Sequence, residues 1–182
     1  MKSRKVLLAL DDSEHSLAAV EAVYNKHCCL PTDEVHLVTV VQPMSVIPPD
    51  EEANAKKLLS EVSELLMQRH QVRSSRINMH VLSAVEGVSG TILAFAKSEG
   101  MDMIVVGSRG MGAVKSSLAS LVGLGSVGDA LVKTAHCPVL LYRPRHVKPI
   151  AQQLGTDHNP ADEHSDKEGK QVCLAYDGSP VS

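Results

Sequence analysis

Short apolar segments alternate with longer amphipathic segments along the first 143 residues, and this alternation limits the possible folds more than any other feature. The short segments are rich in Val, Ile and Leu and are mostly apolar on both faces, as is typical of strands that helices cover on both sides. The longer segments have the apolar spacing of helices. The pattern predicts an open α/β sheet of five parallel strands joined by right-handed helical crossovers. We predict strands at 5–10, 35–41, 77–84, 102–107 and 138–142, and helices at about 13–28, 50–72, 88–99 and 126–134.

Charge and composition exclude several classes of function. The chain has 18 Lys and Arg residues and 21 Asp and Glu residues, so it lacks the excess of positive charge that would bind nucleic acid or an anionic membrane. Only four aromatic residues are present, which are too few to form the stacking surfaces that bind single-stranded nucleic acid or sugars. The apolar run at residues 6–10 is too short for a signal peptide or a membrane span, so we expect a cytoplasmic protein. The four cysteines and nine histidines show no metal-ligand spacing.

The chain changes character after residue 144. Residues 145–169 are polar and lack periodicity, which indicates a linker. The segment QVCLAYDGSPVS (171–182) then aligns without a gap to KVLLALDDSEHS (5–16) and is identical at six of twelve positions. We interpret 170–182 as the incomplete first strand of a second repeat of the domain at 3–144. So short a segment cannot bury a core, and it either stays disordered, adds to an exposed sheet edge, or belongs to a second domain missing from this chain.

The fourth predicted strand leads into a glycine-rich loop. In an open parallel sheet, ligands bind beyond the carboxyl ends of the strands, where the strand order reverses. Gly107 and Gly110 permit close approach of the backbone or a positive φ. Further on, Gly125, Ser126 and Val127 open a helix whose first amides have no partner within the helix. Such a terminus binds an anion, typically a phosphate.

Asp11 ends the first predicted strand, and its carboxylate would repel a phosphate placed beside it. Two roles avoid this conflict: the carboxylate accepts hydrogen bonds from a ribose hydroxyl, or it binds a divalent cation that also contacts the phosphates. A third role is to cap the first helix, although Ser13 or Asp12 fits that role equally well. Arg109 or Lys115 could add positive charge near the phosphates.

Neither common phosphate-binding loop is present. The Walker string G-x-x-x-x-G-K-[ST] does not occur, and a dinucleotide fingerprint should follow the first strand, where this chain has DDSEHS. The chain instead resembles the universal stress protein family in three stretches. These are D-x-S after the first strand, VVGSRGMG after the fourth, and GSVGDALVKTAHCPVLLYRP after that, and the resemblance spans about residues 3–144.

This resemblance implies a Rossmann-like fold of the adenine nucleotide alpha hydrolase type, with strand order 3-2-1-4-5, helices on both faces, and a homodimer joined along the last strand. ATP-binding members of the family carry G-x2-G-x9-G-[ST]. Their aspartate after strand one lies near ribose and metal (Mg²⁺ or Mn²⁺), a valine backbone at the end of strand two faces adenine, and the glycines and serine surround the phosphates. Carried onto this sequence, the implied nucleotide-binding residues are Leu10, Asp11, Val40, Gly107, Arg109, Gly110, Gly125, Ser126 and Val127, with Asp11 also the implied metal ligand.

The spacing departs from the family pattern at one place. Fourteen residues separate Gly110 from Gly125 where the pattern has nine. Closing the longer loop costs only about 0.4 kcal/mol more by a logarithmic length law. The insertion either lengthens the following helix or covers the phosphates. Because both glycines and the Gly-Ser pair are kept, we expect nucleotide binding to be retained.

The resemblance and the motifs together favour a module that binds ATP or AMP and acts in a stress response or in signalling. Phosphoryl transfer requires a positioned metal, a cation at the developing charge and a group that orients the nucleophile. The sequence shows no nucleophile or water-positioning motif, so we expect no dedicated catalyst. A slow ATP hydrolase or phosphotransferase, and an interaction scaffold that binds no nucleotide, are the alternatives.

Overall fold

Strands and helices alternate along the part of the chain that the structure describes. The computed structural model describes residues 3–41, 49–108 and 126–143 of the 182, with the side chain of residue 49 left out of the description. The elements are β1 (Lys5–Leu10), α1 (Glu14–Asn25), β2 (Glu34–Val41), α2 (Pro49–Arg69), β3 (Ile77–Ser83), α3 (Gly87–Glu99), β4 (Met103–Gly107), α4 (Ser126–Thr134) and β5 (Val139–Tyr142). A single 3-10 turn, Ser74–Arg76, precedes β3. The linker predicted at 145–169 and the repeat predicted at 170–182 lie outside the described residues.

The five strands form one parallel sheet in the order β3-β2-β1-β4-β5. The expected fold class and strand order are therefore confirmed. The chain runs outward from β1 through β2 to β3, and then returns to the other side of β1 to form β4. Because β1 and β4 are neighbours but lead into connections that run in opposite directions, the sheet has its reversal point between them.

Helices cover both faces of the sheet because side chains alternate along the buried strands. Val6 and Leu8 of β1 pack in one apolar layer with α1 and α2. Leu7 and Ala9 point to the opposite face and pack in a second layer with α3 and α4. This double burial explains why the strands are apolar on both faces rather than alternating with polar residues.

The helix ends follow local chemistry. Ser13 caps α1, and its hydroxyl oxygen accepts a hydrogen bond from the Ser16 amide at 3.3 Å. Gly100 ends α3 in the left-handed conformation (φ 64°), as the sequence predicts. Asp50 is not the cap of α2 that its position after two prolines suggests, because the helix already begins at Pro49. Proline suits the first helical position because its missing N–H is not needed there.

Asp33 joins the start of β1 to the segment before β2. Its side chain is buried, its Oδ2 accepts a hydrogen bond from Arg4 Nη2 at 2.6 Å, and the same oxygen accepts one from the Leu30 amide at 2.9 Å. The same Arg4 nitrogen also donates to the Cys28 carbonyl at 2.7 Å. One carboxylate therefore holds two separate chain segments together.

We expect Asp33→Ala to lower the free energy of unfolding by about 2 kcal/mol, because it leaves the Leu30 amide without its acceptor and Arg4 without its ion pair. Urea denaturation followed by circular dichroism measures this change. Glu61→Ala is the control, since it removes only an exposed ion pair to Lys57 at 3.8 Å and should cost less than about 0.5 kcal/mol. Equal losses in the two variants would contradict the assigned role of Asp33.

Candidate functional site

Six of the nine residues predicted to bind a ligand lie within the described residues, at the carboxyl edge of the three central strands. Leu10 of β1 is paired with Thr39 of β2, so Asp11 and Val40 are the next residues along neighbouring strands. On the other side of β1, Ala9 is paired with Val106, and Gly107 follows at the end of β4. Neighbouring strands lie about 4.8 Å apart, so these positions fall side by side at the reversal point of the sheet.

Gly107 lies against the first turn of α1. A Cβ placed on Gly107 would lie 2.8 Å from the carbonyl carbon of His15 and 2.9 Å from the backbone nitrogen of Ser16. The positive-φ glycines of the described residues are Gly87 and Gly100, so close approach and not a left-handed backbone is what requires glycine at 107. The missing side chain lets the first turn of α1 pack directly on the end of β4.

The first turn of α4 approaches the same strand end. A Cβ on Gly128 would lie 3.9 Å from the Gly107 carbonyl oxygen and 2.8 Å from Leu141 Cδ1 of β5. Ser126 begins the helix and is exposed, and Val127 packs partly against the α3 and α4 layer. The positive end of the α4 dipole, with the first amides that have no partner within the helix, therefore lies beside the end of β4.

Asp11 is held by hydroxyl groups of the α1 cap. The Ser13 hydroxyl donates to Asp11 Oδ1, and the Ser16 hydroxyl donates to the Asp11 carbonyl oxygen at 2.5 Å. The Thr39 hydroxyl donates to the preceding carbonyl, that of Leu10, at 3.2 Å. Because Ser13 caps α1, helix capping does not explain the presence of Asp11. The Ser13 hydroxyl instead positions the Asp11 carboxylate at the edge of the sheet.

Leu10 and Val40 direct their side chains away from the edge. Leu10 packs in the layer of α1 and α2, and Val40 packs partly in the layer of α3 and α4. A ligand at this edge would therefore meet their backbone groups more readily than their side chains.

Three polar residues at this edge carried no distinctive signal in the sequence. Ser16 and Thr39 anchor the two carbonyl groups of the β1 end, as described above. Ser108 follows Gly107, is fully buried, and has a hydroxyl with no hydrogen-bond partner among the described residues. Its position inside the string GSRG is the only sequence signal that could have singled it out.

Arg109, Gly110 and Gly125, which were also predicted to bind the ligand, lie outside the described residues. The other six predicted residues, Leu10, Asp11, Val40, Gly107, Ser126 and Val127, lie at one edge. Across residues 3–41, 49–108 and 126–143, no group of three or more His, Cys, Asp or Glu side chains is placed to hold a metal ion. Within the same ranges, none of the helices combines the length and apolar composition that crossing a membrane requires.

The fold defines a doubly wound α/β protein, and this edge lies at its reversal point, where proteins of this architecture bind their ligands. The chain belongs to the universal stress protein family, since the model of that family matches residues 2–143. A universal stress protein of Methanocaldococcus jannaschii is 29% identical over an alignment of 152 positions, which covers 77% of this chain and 82% of the relative.

Two solved structures share the fold. A universal stress protein of Archaeoglobus fulgidus in complex with dAMP has a TM-score of 0.53 at 18% identity, covering 78% of this chain and 98% of that one. A family member from Arabidopsis thaliana with AMP bound has a TM-score of 0.51 at 20% identity, covering 80% of this chain and 96% of that one. At this level of identity the likeness is one of fold.

Proposed function

We propose that this chain binds an adenine nucleotide, ATP or AMP, in the crevice at the carboxyl edge of β1, β2 and β4. The observation that carries the proposal is the convergence of Asp11, Val40 and Gly107 with the N-terminus of α4. The Archaeoglobus fulgidus and Arabidopsis thaliana proteins of the same fold hold dAMP and AMP, which supports adenine as the base.

In this proposal each element of the crevice contacts one part of the nucleotide. The backbone beside Leu10 and Val40 faces the adenine ring. Asp11 accepts hydrogen bonds from the ribose hydroxyls, as acidic residues do in other nucleotide-binding α/β folds. The first amides of α4, with the Ser126 hydroxyl, bind the phosphates.

The phosphates are also contacted by residues of the glycine-rich loop. We assign to this group Gly107, Arg109, Gly110, Gly125 and Val127. The glycines let the backbone approach the phosphate oxygens, and the Arg109 guanidinium offsets their charge.

With ATP, a Mg²⁺ or Mn²⁺ ion would be held at Asp11. The donor set fits such an ion, because Mg²⁺ is usually bound by one or two carboxylates together with the phosphates of the nucleotide and water. A cluster of several protein ligands is therefore not required. The ion would link the Asp11 carboxylate to phosphate oxygens that it would otherwise repel.

We infer that the chain acts as a nucleotide-dependent module in the cytoplasm, in a stress response or in signalling, and not as a dedicated catalyst. Binding would bias the glycine-rich loop toward one conformation and so change a partner surface. β5 ends the sheet, which supports a homodimer joined along that strand. The six identities between 171–182 and 5–16 support 145–169 as a linker, and 170–182 as the incomplete first strand of a second copy of the 3–144 domain.

Mass spectrometry of the small molecules released by denaturing freshly purified chain tests the proposal. We expect an adenine nucleotide in the released fraction, or, if none is retained, a thermal shift and heat of binding on adding ATP with Mg²⁺ or AMP. No released nucleotide, no heat and no thermal shift would favour the interaction scaffold instead. Repeated turnover of ATP to ADP above the buffer rate would favour the hydrolase.

A further inference from the structure

Two histidine rings are stacked between the sheet and α3. His36 lies on β2 and is buried, and His80 lies on β3, diagonally across the pair of strands, since Val38 is the residue paired with His80. The ring centroids are 5.2 Å apart and the planes differ by 4°. His36 Nδ1 lies 3.1 Å from His80 Nε2, which is the distance of a hydrogen bond between two nitrogens.

The second nitrogen of His36 determines how many protons the pair can carry. His36 Nε2 lies 3.2 Å from Glu34 Oε1, and an ionised carboxylate can only accept a hydrogen bond, so Nε2 carries a proton. When His36 is neutral, its Nδ1 accepts from His80 Nε2. When His36 is protonated, its Nδ1 donates and His80 Nε2 must accept. One added proton is therefore compatible with the contact.

A second added proton is not compatible with it. With both rings protonated, two N–H groups would face each other at 3.1 Å, and neither nitrogen would have a lone pair to accept. The two positive charges would also repel each other, and His36, which is buried, is poorly screened by water. The hydrogen bond between the strands must then break.

Phe95 of α3 packs against the two rings. Its ring centroid lies 4.7 Å from that of His80 and 6.3 Å from that of His36. Ile92 and Ala96, on the same helix, are buried in the same layer. Separation of the two histidine rings therefore disturbs the contact between α3 and the sheet directly.

The charged groups around the pair come from three elements. Glu34 lies on β2, Glu99 ends α3, and Lys5 of β1 donates from its Nζ to the Glu99 carbonyl at 3.1 Å. His80 is the only titratable residue of β3. Burial, and then the neighbouring His36, lower the pKa of His80 below its ordinary value, and they outweigh the opposite effect of Glu99.

We propose that the His36 and His80 rings form a pH-sensitive latch, which holds α3 on the sheet while at least one ring is neutral and releases it when both rings are protonated. Because the folded state disfavours the proton on His80, the stabilisation is complete above the unfolded pKa of about 6.5 and is lost as the pH falls through the folded pKa. The latch acts below neutral pH and does not depend on a bound nucleotide.

Native-state hydrogen exchange of the full chain at pH 7.5 and pH 5.0, corrected for intrinsic rates, tests the latch. We expect the protection of α3 amides to fall by up to about tenfold per pH unit between the unfolded pKa of about 6.5 and the lower folded pKa of His80, while α1 amides keep theirs. His80→Gln keeps polar atoms but cannot titrate, and should remove this difference. His70→Gln is the matched control, because His70 stacks on Tyr24 on the other face and should leave the difference intact.

A parallel loss of protection in α1 and α3, or the same pH dependence in His80→Gln as in the natural chain, would overturn the proposal. If His80→Gln does not fold, the ring nitrogens of the natural chain can be titrated by NMR. A midpoint for His80 below 6.5, accompanied by shifts of Phe95, supports the latch. A midpoint at or above that value contradicts it.

Discussion

Gly107→Ala is expected to lower the free energy of unfolding by about 3 kcal/mol, because overpacking against a rigid neighbour forces a backbone shift. The added Cβ would lie 2.8 to 2.9 Å from three backbone atoms of His15 and Ser16, and backbone in the first turn of α1 cannot rotate away as a side chain can. Either α1 or the end of β4 must move. Since both elements border the crevice, nucleotide affinity should fall with stability, and chemical denaturation together with calorimetry measures both.

Gly128→Ala is the control for that variant. Its Cβ would also lie 2.8 Å from a neighbour, but this neighbour is Leu141 Cδ1, the end of a flexible side chain. Alanine is also favoured over glycine inside a helix by about 1 kcal/mol, which offsets the contact. We expect Gly128→Ala to stay within about 1 kcal/mol of the natural chain. If Gly107→Ala proved equally mild, the direct packing of α1 on β4 would be wrong.

Asp11→Ala is expected to weaken nucleotide binding by about ten- to a hundredfold, since a hydrogen bond to a charged group contributes about 1.5 to 3 kcal/mol. The carboxylate sits at the reversal point, where the Ser13 hydroxyl donates to its Oδ1 and the Ser16 hydroxyl donates to the backbone carbonyl of Asp11. Isothermal titration calorimetry with AMP, and with ATP in the presence and absence of Mg²⁺, measures the change. A larger loss with ATP and Mg²⁺ than with AMP would assign a metal ligand role to Asp11 in addition to the ribose contact that we propose.

Asp12→Ala is the matched control for Asp11→Ala. Asp12 is exposed and has the same charge one residue along the chain, so any general effect of removing a negative charge is the same in both variants. Thermal melts of both variants without nucleotide show whether either is partly unfolded, so that a loss of binding caused by unfolding can be recognised. Equal affinities for Asp11→Ala and Asp12→Ala would remove Asp11 from the proposed site.

The sequence predicted the elements of the sheet closely, because apolar strands buried on both faces and amphipathic helices leave strong periodic signals. The order of the strands in the sheet could not be predicted in this way. Periodicity alone cannot say which strands are neighbours, and the order came from the resemblance of the loop motifs to a family. The helix start at Pro49 was misjudged by one residue, because the acidic Asp50 suits both a cap and a first turn.

The site was predictable only in part. A glycine at position 107 indicates that the backbone there needs either a positive φ or room for a close neighbour. The sequence cannot distinguish the two, because the answer depends on where α1 packs in the folded protein. The hydroxyl contacts of Ser16 and Thr39 are likewise set by packing, since serine and threonine are common everywhere. His36 and His80 lie 44 residues apart and share no motif, so only the strand pairing brings them together.

A titration of ¹⁵N-labelled chain with AMP, and with ATP and Mg²⁺, followed amide by amide in NMR spectra, tests the nucleotide crevice most directly. We expect saturable shifts at Asp11, Val40 and Gly107 and at the first residues of α4, with little change along α2. The absence of shifts with either nucleotide at millimolar concentration, or saturable shifts confined to a surface away from the ends of β1 and β4, would contradict it.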